Sequence, residues 1–248
     1  MKAKLLLLLR MGLQMGLMGL IGMIGAPVGF AETSFDVVLK KKFWPDGRGV
    51  LVVSDGAIEF RAKDDERSRR WSYEDIQYFD RVSTQEIIVL TYEDSGWKLG
   101  RDRQFRFVLS EGEFTDALFG QVSRGIGRPV TNRVFEVREA VEMELPVKHL
   151  HALGGCEGTL LFTKNQVYYR TSHARDARQW QLRRDVDSVW SHDRYHLELH
   201  VYDNNRREFS RAKVYKFDLK RPLDPDWYRG LKLRLYELNA RERSPIGR

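Results

Sequence analysis

The 248-residue chain has one cysteine, seven prolines and no low-complexity tract. A single cysteine excludes an intrachain disulfide framework and a cysteine-rich zinc site. So few prolines exclude a proline-rich linker protein. There is no G-x-S-x-G, H-E-x-x-H, phosphate-binding loop or dinucleotide fingerprint. The carboxylates Asp64-Asp65-Glu66 stand beside Arg67, Arg69 and Arg70, a mixed-charge loop and not a matched acid and base. The chain is therefore expected to be no enzyme and to carry no cofactor. What it does hold, 42% hydrophobic and 12% aromatic residues, suffices for packed cores.

The amino terminus reads as a targeting segment. Lys2 and Lys4 precede Leu5–Leu9, and Met11–Phe30 follows Arg10 without a charge. A basic start, an apolar stretch and small residues at the exit mark a secretory signal. Gly29-Phe30-Ala31 supplies the small side chains, which places cleavage before Glu32. The alternative is a retained anchor, since a bilayer takes roughly 20 apolar residues. Six glycines in Met11–Phe30 weaken such a helix. Either way the body is expected to be exported, to the periplasm or its membrane face.

Charge is uneven along that body. Glu32–Asn132 holds 16 basic and 18 acidic residues, whereas Arg133–Arg248 holds 23 and 17. The second half thus carries a net +6, spread over both signs in the manner of a solvated surface.

Internal repetition is the strongest signal. Gly49-Val-Leu-Val-Val-Ser-Asp-Gly-Ala-Ile-Glu-Phe-Arg61 lies 109 residues before Gly158-Thr-Leu-Leu-Phe-Thr-Lys-Asn-Gln-Val-Tyr-Tyr-Arg170. That spacing holds to Trp71 and Trp180, then slips by one, matching Asp75 with Asp185 and Tyr92 with Tyr202. Arg103–Leu109 matches Lys213–Leu219 in the same way. Each copy reads as a series of strands followed by a helix. Val50–Val53 and Ile58–Arg61 make a hairpin across Ser54–Gly56, repeated by Thr159–Phe162 and Val167–Arg170. Gly56 and Asn165 occupy the hairpin tips, where positive φ is expected. Phe105, Phe107 and Leu109 alternate on one strand face, as do Tyr215, Phe217 and Leu219. The strand pattern then gives way to helices. One carries Phe114, Leu118 and Val122 behind a capping box at Ser110 and Glu113. The other carries Trp227, Leu231, Leu235 and Leu238 behind Asp224-Pro225. Gly, Arg and Pro interrupt the pattern at Gly125–Thr131, dividing the chain into 1–31, a unit at 32–128 and a unit at 133–241.

Over Phe35–Leu238, this element order and the Gly-x-Leu…Gly/Asn-x-Ile/Val-x-Phe/Tyr-Arg…Trp pattern resemble the pleckstrin-homology-like superfold, including its GRAM-like and bacterial versions. The resemblance implies a mainly β chain of two tandem bent β-barrels, each closed by a C-terminal α-helix. It also implies a binding role. Phosphoinositide-binding members cluster Lys and Arg around the first hairpin, which makes Arg61, Lys63, Lys164 and Arg170 the anion-contact candidates. Many other members bind proteins. The expected partner is another envelope protein, with an anionic membrane surface as the alternative and nucleic acid excluded.

All six histidines lie in the second half. His149 and His151 would share one strand face, and His196 and His200 would likewise align. With Cys156 they form a donor set suited to Zn or Cu. By the repeat spacing, Lys40 and Lys42 stand where His149 and His151 fall. A metal that held the fold together would be expected in both copies, so no metal is assigned. Cys156 is expected to be buried and inert.

Overall fold

The computed structural model describes residues 32–41, 44–63, 67–95, 102–202 and 212–243. The expected targeting segment, Lys42 and the 64–66 carboxylates lie outside the described residues. Among the described residues, no helix is long and apolar enough to cross a membrane.

The chain is mainly β, and its two halves run the same course. The first comprises β1 (Thr33–Lys40), β2 (Gly47–Val53), β3 (Ala57–Ala62), β4 (Arg69–Ser72), β5 (Ile76–Ser83), β6 (Glu86–Asp94), β7 (Asp102–Leu109) and helix α1 (Asp116–Ile126). A short strand, β8 (Val130–Asn132), follows. The second comprises β9 (Val141–Leu150), β10 (Gly155–Thr163), β11 (Gln166–Thr171), β12 (Arg178–Gln181), β13 (Val186–Asp193), β14 (His196–Val201), β15 (Lys213–Leu219) and helix α2 (Pro225–Arg243). In space the strands run β5-β6-β7-β1-β2-β3-β4 in one half and β13-β14-β15-β9-β10-β11-β12 in the other. The two orders are the same.

Alternation along these strands produces two hydrophobic clusters. Leu51, Ile58, Phe60, Trp71, Phe105 and Phe107 lie in the first; Leu160, Val167, Tyr169, Trp180, Tyr215 and Phe217 take the matching places in the second. Each fully buried side chain of this size contributes about 1.5–3 kcal/mol relative to exposure. Helix α1 adds Leu118, Val122 and Ile126 to the first cluster, and α2 adds Leu231 and Leu235 to the second. Asp224 caps α2 as expected, its Oδ1 accepting from the N–H groups of Asp226 and Trp227 at 2.8 and 2.9 Å.

The cap of α1 differs from the sequence expectation. Thr115, not Ser110, sits at the cap position, and its hydroxyl accepts from the Leu118 N–H at 3.3 Å. Phe114 precedes the helix and is fully buried, which fixes the chain's entry and leaves Ser110 too far upstream. Replacing Thr115 with Ala should lower stability by about 1 kcal/mol, read as a shift of the urea midpoint.

The hairpin tip also differs. Gly56 does not adopt positive φ; among the described residues the glycines that do are Gly112, Gly127 and Gly154. What Gly56 and Asn165 share is a carbonyl contact. Gly56 O accepts from the Tyr73 N–H at 3.2 Å, and Asn165 O from the Leu182 N–H at 2.8 Å. The turn closes through these bonds and through Ser54 N–H donating to Ala57 O, without a left-handed residue at position 56.

Between the halves, hydrogen bonding is continuous where a break was expected. Strand β8 pairs in parallel with β5 and, through Asn132 opposite Gln179, with β12. Three residues are too few to show alternation, and all three are buried, so the segment reads in sequence as an interruption. Arg133 fastens the junction. Its Nε and Nη2 donate to Asp80 on β5 at 3.0 and 2.5 Å, and its Nη1 donates to Arg175 O at 2.6 Å.

Candidate functional site

Among the described residues, a close group of chemically active side chains lies at the β9–β10 hairpin. His149 stands opposite Cys156 on β10 and Phe217 on β15. In the first half the residue opposite Gly47 and Phe107 is Leu39. The counterparts of His149 and His151 are therefore Leu39 and Lys41, not Lys40 and Lys42. The physical reason is that the β1–β2 hairpin is one residue longer than the β9–β10 hairpin, which moves the repeat spacing between the two strands.

His149 thus occupies a core position. It is 6% exposed, with its ring centroid 5.0 Å from Phe217, 5.3 Å from Tyr215 and 5.5 Å from Tyr169. A buried polar ring needs a partner, and Asp176 provides it, with Oδ2 2.9 Å from His149 Nδ1. His151 lies just past the end of β9, where its N–H donates to Gly154 O at 2.9 Å. Positive φ at Gly154 (89°) is readily adopted only without a Cβ, and it turns the chain sharply enough to bring β10 back alongside. His151 Nε2 then lies 3.3 Å from the same Asp176 oxygen and 3.3 Å from Cys156 Sγ. The two imidazole centroids are 4.4 Å apart.

Asp176 reaches the cluster from the β11–β12 loop. That loop is held by the Asp176 N–H donating to His173 O at 2.7 Å and by Arg178 Nη1 donating to Arg175 O at 2.6 Å. Burial pushes the Asp176 carboxyl up. The hydrogen bond from His149, with the charges of His149, His151 and Arg178, outweighs burial and holds it below the usual carboxylate range. Loss of solvent, and then the Asp176 charge, push the Cys156 thiol up. Tyr169 donates to Cys156 O at 2.7 Å, and burial takes its hydroxyl to about 12. Cys156 is half-buried and in contact with His151, rather than sealed in the core as expected. Strand β10 starts at Gly155, earlier than the apolar run shows, so Cys156 faces its neighbour across the sheet.

The other candidate residues do not converge. His196 Nδ1 meets Asp193 at 2.6 Å, and His200 Nε2 lies 3.5 Å from Glu198, so each imidazole has a separate acid. Arg61 forks onto Glu59 at 2.8 and 3.1 Å, and the Lys63 side chain is exposed just past β3. Lys164 is exposed at the β10–β11 tip, and Arg170 is exposed at the far end of β11, about 20 Å away at roughly 3.3 Å per residue. One anion cannot bridge that distance. A cleft lined by Arg81, Asp116, Phe135 and Arg138 separates the start of α1 from the linker. Arg81 and Arg138 both bind Asp116 there, at 2.5 and 3.1 Å.

The sheet leaves its edges unequal. The β5 edge is covered by β8. On β13, the counterpart of β5, side chains of α2 take two carbonyls. Asn239 Nδ2 donates to Asp187 O at 3.1 Å and the Tyr228 hydroxyl to Val189 O at 3.3 Å. The β12 edge meets β8, whereas its counterpart β4 ends the strand order with β3 as its one neighbour among the described strands. Orientation along β4 follows from a repeated bond. The Ser72 N–H donates to Asp75 Oδ2 at 3.0 Å, as the Gln181 N–H does to Asp185 Oδ2 at 2.8 Å. Antiparallel strands alternate paired and outward residues. Two residues back, Arg70 therefore turns its N–H and C=O away from β3, as Gln179 turns toward Asn132. The Arg70 side chain is 71% exposed.

No family model matches the chain, and no curated protein matches it. Solved structures to which parts of this chain are similar include a PH domain. The Vps36 N-terminal PH domain is 12% identical, covering 43% of this chain and 86% of its own, at a TM-score of 0.32. The Spt16D Pob3N heterodimer structure is 11% identical, covering 78% of this chain and 99% of its own, also at 0.32. A C-terminal domain of an unknown protein from Leishmania infantum is 9% identical, covering 40% and 85%, at 0.30.

Proposed function

We propose that the chain is an exported, non-catalytic binding module of two tandem PH-like units, and that it takes a protein partner as an added strand on β4. One observation carries this reading. The chain itself places a short strand, β8, against β12 at Gln179, and the matching position in the first half, Arg70, faces outward on an edge that no other described strand covers. An open edge is a template for strand addition, with main-chain bonds giving affinity and side chains giving selectivity. Arg70 on this edge, 71% exposed and 3.6 Å from Glu59, favours an extended segment that carries Asp or Glu. The alternative partner, an anionic lipid surface, would act through the net-basic second half, where Lys164 and Arg170 lie apart.

Arg70→Pro tests the reading. Proline removes one outward donor and no bond to β3, so the fold should survive. Envelope proteins that co-purify with the wild-type chain should be lost with the variant. Unchanged co-purification, together with salt-sensitive flotation of the chain on anionic liposomes, would transfer the function to the lipid surface.

A further inference from the structure

We propose that His149, His151, Asp176 and Cys156 form a binding site for a four-coordinate divalent d-block metal ion such as Zn²⁺. Three observations converge on it. The first is geometric. Donor atoms of His149, His151 and Asp176 all lie within 4.8 Å of one another. Cys156 Sγ lies outside that 4.8 Å group but 3.3 Å from His151 Nε2, and it completes the set as a fourth donor by closing on the other ligands. Bonds of about 2.0–2.3 Å in a tetrahedron place donors roughly 3.3–3.7 Å apart. The separations of 2.9 and 3.3 Å from Asp176 to the two imidazoles and 3.3 Å from His151 to Cys156 are at or just under that spacing.

The second is chemical. Two imidazoles, one carboxylate and one thiol are a donor set that suits Zn²⁺ and disfavours Mg²⁺ or Ca²⁺, which prefer all-oxygen shells. Binding displaces the Cys156 proton to solvent as the thiolate forms its bond to the metal, and the imidazoles bind as neutral ligands. The carboxyl of Asp176 is already ionised. Around the donors, Tyr169 holds the Cys156 carbonyl and Arg133 holds the loop that carries Asp176, which fixes the geometry before the ion arrives.

The third comes from the duplication. The first half has the same strand order, and at the four matching positions it carries Leu39, Lys41, Gly47 and Arg67. None is a customary zinc ligand, and two are cations. The shared scaffold thus needs no polar cluster here, and a leucine fills the core position that His149 takes. The second half builds the cluster in addition to its fold.

The test uses the full chain, reduced and stripped with a chelator, then dialysed against Zn²⁺ and assayed for bound metal. One Zn²⁺ per chain is expected. His151→Ala and Asp176→Asn, both outside the strands, should each weaken retention by about 10-fold or more, while the double variant His196→Ala/His200→Ala should retain it in full. Loading with Co²⁺ instead should give the visible spectrum of a four-coordinate ion with a thiolate charge-transfer band, and Cys156→Ser should remove that band alone. Near-ultraviolet circular dichroism checks that each variant is folded. Sub-stoichiometric Zn²⁺ in the wild-type chain would overturn the proposal and leave a His–Asp ion pair. Equal retention by His151→Ala, or loss confined to the His196/His200 variant, would also overturn it.

Discussion

Replacing Arg133 with Ala is expected to destabilise the protein by about 3–5 kcal/mol, because it removes two charge-assisted bonds to a buried carboxylate. Asp80 is 3% exposed, and both of its oxygens are taken by the Arg133 guanidinium. The same guanidinium reaches across to Arg175 O, so its loss also frees the loop at the junction of the two halves. Asp80→Ala should cost less, since Arg133 is nearer the surface and can recover water. The double variant Asp80→Asn/Arg133→Met should be more stable than the sum of its single changes, because neither charge is then stranded. Urea unfolding followed by tryptophan fluorescence measures all of these. Equal and additive losses would mean that the pair is no more than a surface contact.

The repeated glycines at 49 and 158 give the second large effect. A Cβ on Gly158 would lie 2.4 Å from Arg170 O and 2.6 Å from the Tyr169 ring. On Gly49 it would lie 2.2 Å from Arg61 O and 2.8 Å from the Phe60 ring. In both halves an aromatic ring lies close to the bare backbone, and the obstacle includes main chain that cannot turn aside. Ala at either position should therefore cost about 1–3 kcal/mol through overpacking. Gly47 is the control. Its nearest neighbour would be 3.6 Å from the new Cβ, so Gly47→Ala should leave the urea midpoint almost unchanged. Similar losses at positions 47 and 158 would contradict this account of the glycines.

The parts of this architecture that show in the sequence are those encoded by local periodicity. Trp71 and Trp180, Phe107 and Phe217, and the paired hairpins all repeat in register because each sits on an alternating strand facing a core. The stripe of α2 and its Asp224 cap are visible for the same reason. Other features depend on residues brought together from afar. Strand β8 is three residues long and acquires its identity only between β5 and β12. Thr115 becomes the cap because Phe114 is anchored upstream of it. His149, His151 and Cys156 stand out by residue type, but Asp176 lies in a polar loop whose position is set by Arg133 and Arg178. Its one sequence signal is the contrast with Arg67 at the matching position, which becomes legible once the pairing fixes the register. The extra length of α2 likewise reads as helix, while its role in covering the β13 edge appears only when Asn239 and Tyr228 are seen to reach Asp187 and Val189.

A photo-crosslinking amino acid placed at position 70 tests the proposed docking edge most directly, with Trp190 on the other unit as the control position. If a partner strand adds to β4, irradiation of intact cells should give a discrete protein adduct from position 70, and none of the same mass from position 190. Adducts from position 190 alone, or lipid adducts from both, would contradict it.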